Sequence, residues 1–216
     1  GNIIANNAGD GISMVGAGDA SIRNSFVSNS IYNNGTLGIC FVPSGPNTND
    51  ALDADTGPNR GQNYPVISSA EAGLIDGTLN SLPNWQFRLE FFANTAADPS
   101  GHGEGEQLVA SVDVITDASG DAAFSVAYTP VAGKEFISGT ATSLGASTAI
   151  PCTPAQGALC FDVRGEPVDI LEIYNTSEFS PTVTERGVAT CILECPEDIT
   201  QAADPETCTA EVTFGQ

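Results

Sequence analysis

Apolar and polar residues alternate along residues 85–94, WQFRLEFFAN. A repeat of two residues is typical of a β-strand, whose successive side chains point to opposite faces of the sheet. The odd positions from 87 to 91 are all apolar, whereas the other face carries Arg88, Glu90 and Phe92. We therefore predict an antiparallel strand with one face in an apolar core and one wetter face.

The same alternation recurs between Tyr64 and Pro181, with turn residues between the runs. The runs are YPVISSA, GLIDGTLN, QFRLEFFAN, EQLVASVDVIT, AAFSVAYT, EFISGTATS, ALCFDV and SEFS. Seven or eight short strands separated by turns predict an immunoglobulin-like β-sandwich. Helical spacing is scarce and the chain contains 23 Gly and 13 Pro, so we predict an all-β protein.

The first residues contain a repeat. GNIIANNAGDGI (1–12) recurs 27 residues later as SNSIYNNGTLGI (28–39), with six of twelve positions matching. Stacked coils need short strands with inward Ile and corners of Asn or Gly. The repeat resembles the right-handed parallel β-helix repeats of bacterial surface proteins over residues 1–42. Because two coils bury too little core, we expect the end of a longer solenoid.

Residues 43–63, PSGPNTNDALDADTGPNRGQN, lack apolar periodicity but are rich in Asp, Asn and Gly. Hard oxygens recur at short intervals in Asp50, Asp53, Asp55 and Asn59. A curled loop with such spacing is able to supply ligands to Ca²⁺, which takes six to eight oxygens. The alternative is a solvated linker whose Asp and Asn side chains form local turns. The sequence thus predicts a calcium loop or a polar linker.

The chain is strongly acidic. It has 6 Lys and Arg against 27 Asp and Glu, a formal net charge of −21. Such a charge repels phosphates and anionic lipids, which argues against nucleic acid and membrane surfaces as partners. No run of apolar residues is long enough for a membrane span, and no signal peptide is recognisable. Cations are the expected partners, although acidity also serves solubility.

Six cysteines occur without the CxxC spacing of a zinc site, which favours disulfides and an oxidising compartment. We predict an extracellular or cell-surface location. Cys152 and Cys160 flank a turn-like AQG, and a bond between them would close a short hairpin. Cys40 is either a buried thiol or the partner of Cys191.

The segments DADTGPN, QNYP, FRLEFFAN, ADPSG and TDASGDAAFSV are similar to the module that follows β-helix repeats in large secreted bacterial proteins. This chain departs from that pattern by an insertion at 145–175, before TSEFS. The resemblance covers about residues 1–180. It implies an exported, non-catalytic architecture and names no ligand.

The tail CPEDITQAADPETCTAEVTF (195–214) resembles the opening of a hyalin repeat, another immunoglobulin-like adhesion module. The two opening cysteines of that family bond to residues further along, so Cys195 and Cys208 have either lost their partners or bond to each other. Two explanations stay open. The chain is a fragment of a longer protein, or the tail lends strands to a neighbouring copy.

Catalysis is not favoured by the residues present. His102 is the only histidine and no GxSxG motif accompanies it. Glu104 and Glu106 lie two apart in one loop, which favours a solvated or cation-binding edge over a glycosidase pair. Trp85, the only tryptophan, is more readily explained as a core or rim residue than as a sugar platform.

We therefore predict a secreted or cell-surface structural or adhesive protein, such as a stalk, adhesin or filament subunit, and not an enzyme. The expected partners are other copies of itself or other surface proteins, joined by strand exchange, and carbohydrate. The alternative is an accessory module of a polysaccharide-degrading β-helix enzyme. The predicted organisation is β-helix coils, calcium loop, immunoglobulin-like sandwich, and a linker with a partial second sandwich, at residues 1–42, 43–63, 64–181 and 182–216.

Overall fold

A computed structural model of the 216-residue chain describes residues 1–16, 21–41, 45–146, 160–161, 167–168 and 174–187. In these residues the protein is all-β, as predicted. The strands are β1 (Ile3–Ala5), β2 (Ile12–Met14), β3 (Ser30–Tyr32), β4 (Ile39–Phe41), β5 (Val66–Glu71), β6 (Leu74–Asn80), β7 (Trp85–Asn94), β8 (Gln107–Ile115), β9 (Asp121–Ala127), β10 (Phe136–Ala146), β11 (Cys160–Phe161), β12 (Pro167–Val168) and β13 (Val183–Thr184). One short 3₁₀ turn, Pro58–Gly61, precedes β5. None of the described helical residues forms a segment that would span a bilayer.

Two antiparallel sheets share one apolar core. β5, β6 and β9 form a three-stranded sheet, and β13, β10, β7 and β8 form a four-stranded sheet in that order. The core side chains come from both sheets and include Ile67, Ile75, Leu79, Phe87, Leu89, Phe91, Phe124 and Ile137. The rings of Phe91 and Phe124 meet across the core with centroids 5.1 Å apart. The alternation in the sequence thus predicted strands β5 to β10 correctly.

The turn between β8 and β9 is shaped by an aspartate and a glycine. The carboxylate of Asp117 accepts hydrogen bonds from the N–H groups of Ser119 (2.7 Å) and Asp121 (3.0 Å). Gly120 has a φ of +81°, and a Cβ there would lie 2.3 Å from the carbonyl oxygen of Ser81. A residue without a side chain is therefore needed at this position.

The second face of β7 differs from the prediction. Arg88 is exposed and forms an ion pair with Asp113 of β8 (2.9 Å), but Glu90 and Phe92 are buried. They are buried because residues 1–16 and 21–41, here called the N-terminal segment, cover this part of the sheet. The expectation of a wetter face was wrong for the second half of the strand.

The N-terminal segment forms two separate two-stranded parallel sheets. β1 pairs with β3, placing Ile4 opposite Ile31, and β2 pairs with β4, placing Ile12 opposite Ile39. Side-chain amides join residues 27 apart, as between Asn7 Nδ2 and Asn34 Oδ1 (2.8 Å). The positions that match in the sequence repeat are therefore paired in space.

The resemblance to a right-handed parallel β-helix was nevertheless wrong. The described residues form several separate sheets, and none of them forms a solenoid. Ile31, Ile39 and Phe41 bury their side chains in one cluster with Phe92 and Phe179. The apolar residues of the repeat thus pack on the four-stranded sheet instead of on further coils.

Three buried glutamates attach the N-terminal segment to the rest of the protein. Glu90 accepts a hydrogen bond from the N–H of Ser28 (2.9 Å). Glu104 accepts from the N–H of Asn34 (3.1 Å), and Glu178 accepts from those of Phe41 (2.6 Å) and Asn47 (2.7 Å). Each carboxylate satisfies backbone donors that burial would otherwise leave unpaired.

Residues 183–187 join the two sheets on one side. β13 pairs with β10, and then the N–H of Arg186 donates to the carbonyl of Ala70 in β5 (2.9 Å). The N–H of Ala72 donates in turn to the carbonyl of Arg186 (2.9 Å). The pairing thus continues beyond residue 181, where we predicted the sandwich to end. The predicted partial second sandwich lies outside the described residues from 188 onwards.

Candidate metal centre

Three aspartates of the loop between β4 and β5 converge. One carboxylate oxygen from each of Asp50, Asp53 and Asp55 lies within 4.8 Å of the other two. Asp50 and Asp53 are half-buried. In the described part of the chain, no other set of three His, Cys, Asp or Glu side chains comes this close. The structure therefore brings together three of the four residues predicted as calcium ligands.

Asp50 and Asp53 are positioned by hydrogen bonds within the loop and to β6. The carboxylate of Asp50 accepts from the N–H of Ala54 (3.1 Å). Asp53 accepts from the N–H of Asn63 through Oδ1 (3.0 Å) and from the hydroxyl of Ser81 through Oδ2 (2.7 Å). Asp53 itself has a left-handed backbone, with a φ of +55°. The loop is curled tightly enough to aim nearby carboxylates at one point.

The surroundings of Asp55 disfavour its negative charge. Burial raises the pKa of the Asp55 carboxyl, and the charge of Asp50 raises it further. Gly61 allows this placement, because it has a φ of +66° and a Cβ there would lie 2.1 Å from Asp55 Oδ1. A divalent cation among the three carboxylates would relieve their mutual repulsion.

Asn59, the fourth predicted ligand, makes other contacts. It is fully buried, with 0 % of its surface exposed. Its Oδ1 accepts from the N–H of Asn24 (3.0 Å), and its Nδ2 donates to the carbonyls of Asn24 (2.8 Å) and Thr176 (2.9 Å). Its side chain thus links the loop to the N-terminal segment and to residues next to β10.

Asn63 is a residue of the centre that sequence reasoning missed. Its Oδ1 accepts from the N–H of Asp50 (3.1 Å), and its Nδ2 donates to the carbonyls of Asp50 (2.8 Å) and Asn80 (2.9 Å). It therefore holds the aspartate loop against the end of β6. Its only signal in the sequence is an amide in a polar stretch directly before a strand.

The three carboxylates offer the chemistry that calcium requires. Ca²⁺ is bound by about six to eight oxygens, from carboxylates, carbonyls and water. Asp50, Asp53 and Asp55 would hold the ion in this loop and leave further positions to other oxygens. Oxygen-only ligands of this type also fit Mg²⁺, although that ion demands a stricter geometry.

The described part of the chain contains no disulfide, and Cys40 is a free, buried cysteine. Of the two alternatives for Cys40, the buried thiol is the one observed, and the pairing with Cys191 is not. Burial raises the pKa of the Cys40 thiol. The side chains of the other disulfide candidates, Cys152, Cys160, Cys191, Cys195 and Cys208, lie outside the described residues.

Other singled-out residues have structural contacts. Glu104 is buried against Asn34, so its prediction as a solvated or cation-binding edge was wrong. Glu106 forms an ion pair with Lys134. His102 Nδ1 donates to the carbonyl of Phe179 (2.8 Å). Trp85 belongs to the apolar core, as its preferred interpretation predicted, and is too buried to stack on a sugar.

No protein-family model matches the chain, and no curated protein sequence matches it significantly. The function is therefore inferred from the residues and their contacts.

Proposed function

We propose that this chain is a non-catalytic structural or adhesive module of a secreted or cell-surface protein, and that Ca²⁺ bound by Asp50, Asp53 and Asp55 stabilises it. The observation that carries the proposal is the position of the aspartate loop. The loop contacts β6 through Asn63 and the N-terminal segment through Asn59. A cation there would stiffen the contact between the two parts of the protein.

The order of the strands supports an immunoglobulin-like β-sandwich. Counting β5 to β10 and then β13 as strands one to seven, the sheets have the orders 1-2-5 and 7-6-3-4. In immunoglobulin-like sandwiches the first, second and fifth strands share one sheet, and the third, sixth and seventh share the other. Many cell-surface proteins use this architecture, although the fold alone does not assign a function.

The charge of −21 supports an extracellular setting with calcium. Extracellular calcium modules bind with dissociation constants of about 10⁻⁴–10⁻³ M, which suits a site made of a few carboxylates. The expected partners are other copies of this chain or other surface proteins.

Thermal unfolding in calcium and in chelator tests the proposal. An ion that binds only the folded state raises its stability by about 2.7 kcal/mol at 100 times the dissociation constant. We expect the melting temperature to rise with millimolar Ca²⁺ and to fall in chelator. Asp55→Asn should abolish this response, whereas Glu135→Gln, an equal charge change at an exposed residue, should keep it.

A melting temperature that changes neither with calcium nor with chelator would overturn the proposed calcium site. If the melting temperatures of Asp55→Asn and Glu135→Gln respond equally to calcium, the ion binds outside the aspartate loop. Mg²⁺ at the same concentration should stabilise less, because its octahedral shell fits a site with few fixed ligands poorly.

A further inference from the structure

The outer edge of β8 carries backbone hydrogen-bonding groups that point away from β7. The N–H of Thr116, just after β8, donates to the carbonyl of Trp85, so the backbone of Thr116 faces β7. Backbone groups alternate in direction along an antiparallel strand. The N–H and C=O groups of Ser111, Asp113 and Ile115 therefore point away from β7. Among the described residues, no strand pairs with this edge.

This edge lacks the usual protection against strand addition. β8 is nine residues long and contains neither Pro nor Lys. Its one charge, Asp113, is already paired with Arg88. Leu108 and Ile115 are 41 % and 57 % exposed. Natural edge strands are commonly shortened, charged or covered, so a long bare edge indicates a pairing surface.

We propose that β8 is a self-association surface, where β8 of a second copy adds in antiparallel orientation. The proposed register places Val112 opposite Val112 of the second copy. Ser111 then lies opposite Asp113 of the second copy, and the reverse, in the hydrogen-bonded positions of the ladder. The two four-stranded sheets become one continuous sheet. The self-association rests on the proposed function, in which other copies of this chain are partners, and it does not depend on the calcium site.

The side chains of β8 complement themselves in this register. Each Asp113 meets a serine hydroxyl, not another carboxylate, and keeps its bond to Arg88. On the other face, the partly buried Val112 meets an identical apolar side chain. Like charges directly opposite each other are destabilising, so the register that places Asp113 opposite itself is disfavoured. This self-complementarity is why the edge fits a second copy of the chain.

The net charge of −21 on each copy opposes association. Salt screens this repulsion but leaves backbone hydrogen bonds and apolar contacts in place. Dimerisation should therefore strengthen as ionic strength increases. An interface made of ion pairs would show the opposite dependence.

Sedimentation velocity over a range of protein concentrations tests the proposal. We expect a monomer of 22.1 kDa in low salt and a growing dimer fraction in high salt. A suitable range is about 0.1 M to about 1 M NaCl, which shortens the Debye length from about 10 Å to about 3 Å. A monomer at every salt and protein concentration would overturn the proposal and leave the calcium proposal untouched.

Ser111→Pro removes an outward N–H without removing a bond to β7, and proline is tolerated at such edge positions. This variant should keep its fold and lose the dimer. A dimer that survives in folded Ser111→Pro uses another surface, and the proposal fails.

Charge variants of Ser111 test the register even if the proline variant does not fold. Ser111→Lys places a cation opposite Asp113 of the second copy, and Ser111→Asp places an anion there. Each dimer contains this pair twice. Ser111→Lys should therefore lower the dissociation constant of the dimer by about 2- to 30-fold, and Ser111→Asp should raise it. Ser125→Lys and Ser125→Asp are matched controls, because Ser125 is exposed on β9 in the other sheet. Weaker dimerisation of Ser111→Lys than of Ser125→Lys would overturn the proposed pairing.

Discussion

The core between the two sheets and the junction under the N-terminal segment are both buried, but different forces stabilise them. In the core, apolar side chains such as Phe87, Leu89 and Phe91 meet residues of the opposite sheet. In the junction, the buried carboxylates of Glu104 and Glu178 accept backbone hydrogen bonds, beside a smaller apolar cluster around Phe92.

This difference determines which substitutions each region tolerates. The hydrophobic effect is roughly proportional to buried area and has no direction, so a core accepts side chains of similar volume. A hydrogen-bonded junction depends on particular atoms. Losing an acceptor there leaves a buried N–H unpaired, which costs about 1–3 kcal/mol.

The largest effect is expected in the core. Phe91→Ala should lower the free energy of unfolding by about 3–5 kcal/mol, because it removes a buried ring and leaves a cavity. Urea denaturation measures this loss. Leu108→Ala, at a side chain 41 % exposed, is the control and should change far less. Similar losses in both variants would contradict the assigned core.

In the junction, Glu178→Ala should lower the free energy of unfolding by about 2–4 kcal/mol, because two backbone donors lose their acceptor. Glu178→Gln retains one side-chain oxygen for the N–H of Phe41 or of Asn47 and should lose less. Chemical denaturation of both variants measures the difference. Equal losses would mean that the side chain acts through its volume and not through its oxygens.

Two glycines with left-handed backbones test whether the ion is bound beside Asp55. Gly61→Ala and Gly133→Ala should each cost about 1–2 kcal/mol for the positive φ. Space is open around Gly133, whereas a Cβ at Gly61 meets the Asp55 carboxylate. Only Gly61→Ala should therefore lose the calcium-dependent rise in melting temperature. Retention of that rise would place the ion away from Asp55.

The smallest expected change in stability is the one caused by pH. Burial raises the pKa of the Glu104 and Glu178 carboxyls above their ordinary value of 4.5. The folded protein thus holds these protons more tightly than the unfolded chain. Their contribution to stability is fully present below 4.5 and is lost as pH rises through the raised pKa values.

A group whose pKa shifts the opposite way changes stability only at lower pH, outside this range. Burial alone would raise the pKa of Asp10, but hydrogen bonds, first from Ser13 and then from Thr36, lower it overall. Its contribution is lost only as pH falls through that lowered pKa. Thermal melts from about pH 4.5 to about pH 8 should show a shallow decline in stability, less steep in Glu178→Gln. A melting temperature that increases with pH over this range would contradict the assignment.

Much of the two main sheets could be predicted because the signals for their strands are local. Each strand from β5 to β10 carries its own two-residue alternation, and the turn before β9 carries its own Asp and Gly. The three aspartates of the loop lie within six residues, so their spacing alone indicated a shared site. Neither prediction needed knowledge of the rest of the chain.

The N-terminal repeat shows where local reasoning failed. Its period correctly anticipated which residues pair, as with Ile12 and Ile39. The period did not reveal what the apolar side chains pack against. That surface, at Phe92 and Phe179, lies far along the chain and carries no matching repeat.

Local sequence patterns predict the all-β character, the strands of the two main sheets and the cluster of acidic oxygens, because these depend on residues close together in the chain. The burial of the second face of β7, the link that Asn59 makes between Asn24 and Thr176, and the glutamates that serve as internal acceptors follow only from the folded chain. Glu90, Glu104 and Glu178 meet donors 62, 70 and 137 residues away. Such contacts form only after the chain folds back on itself, so no local pattern records them.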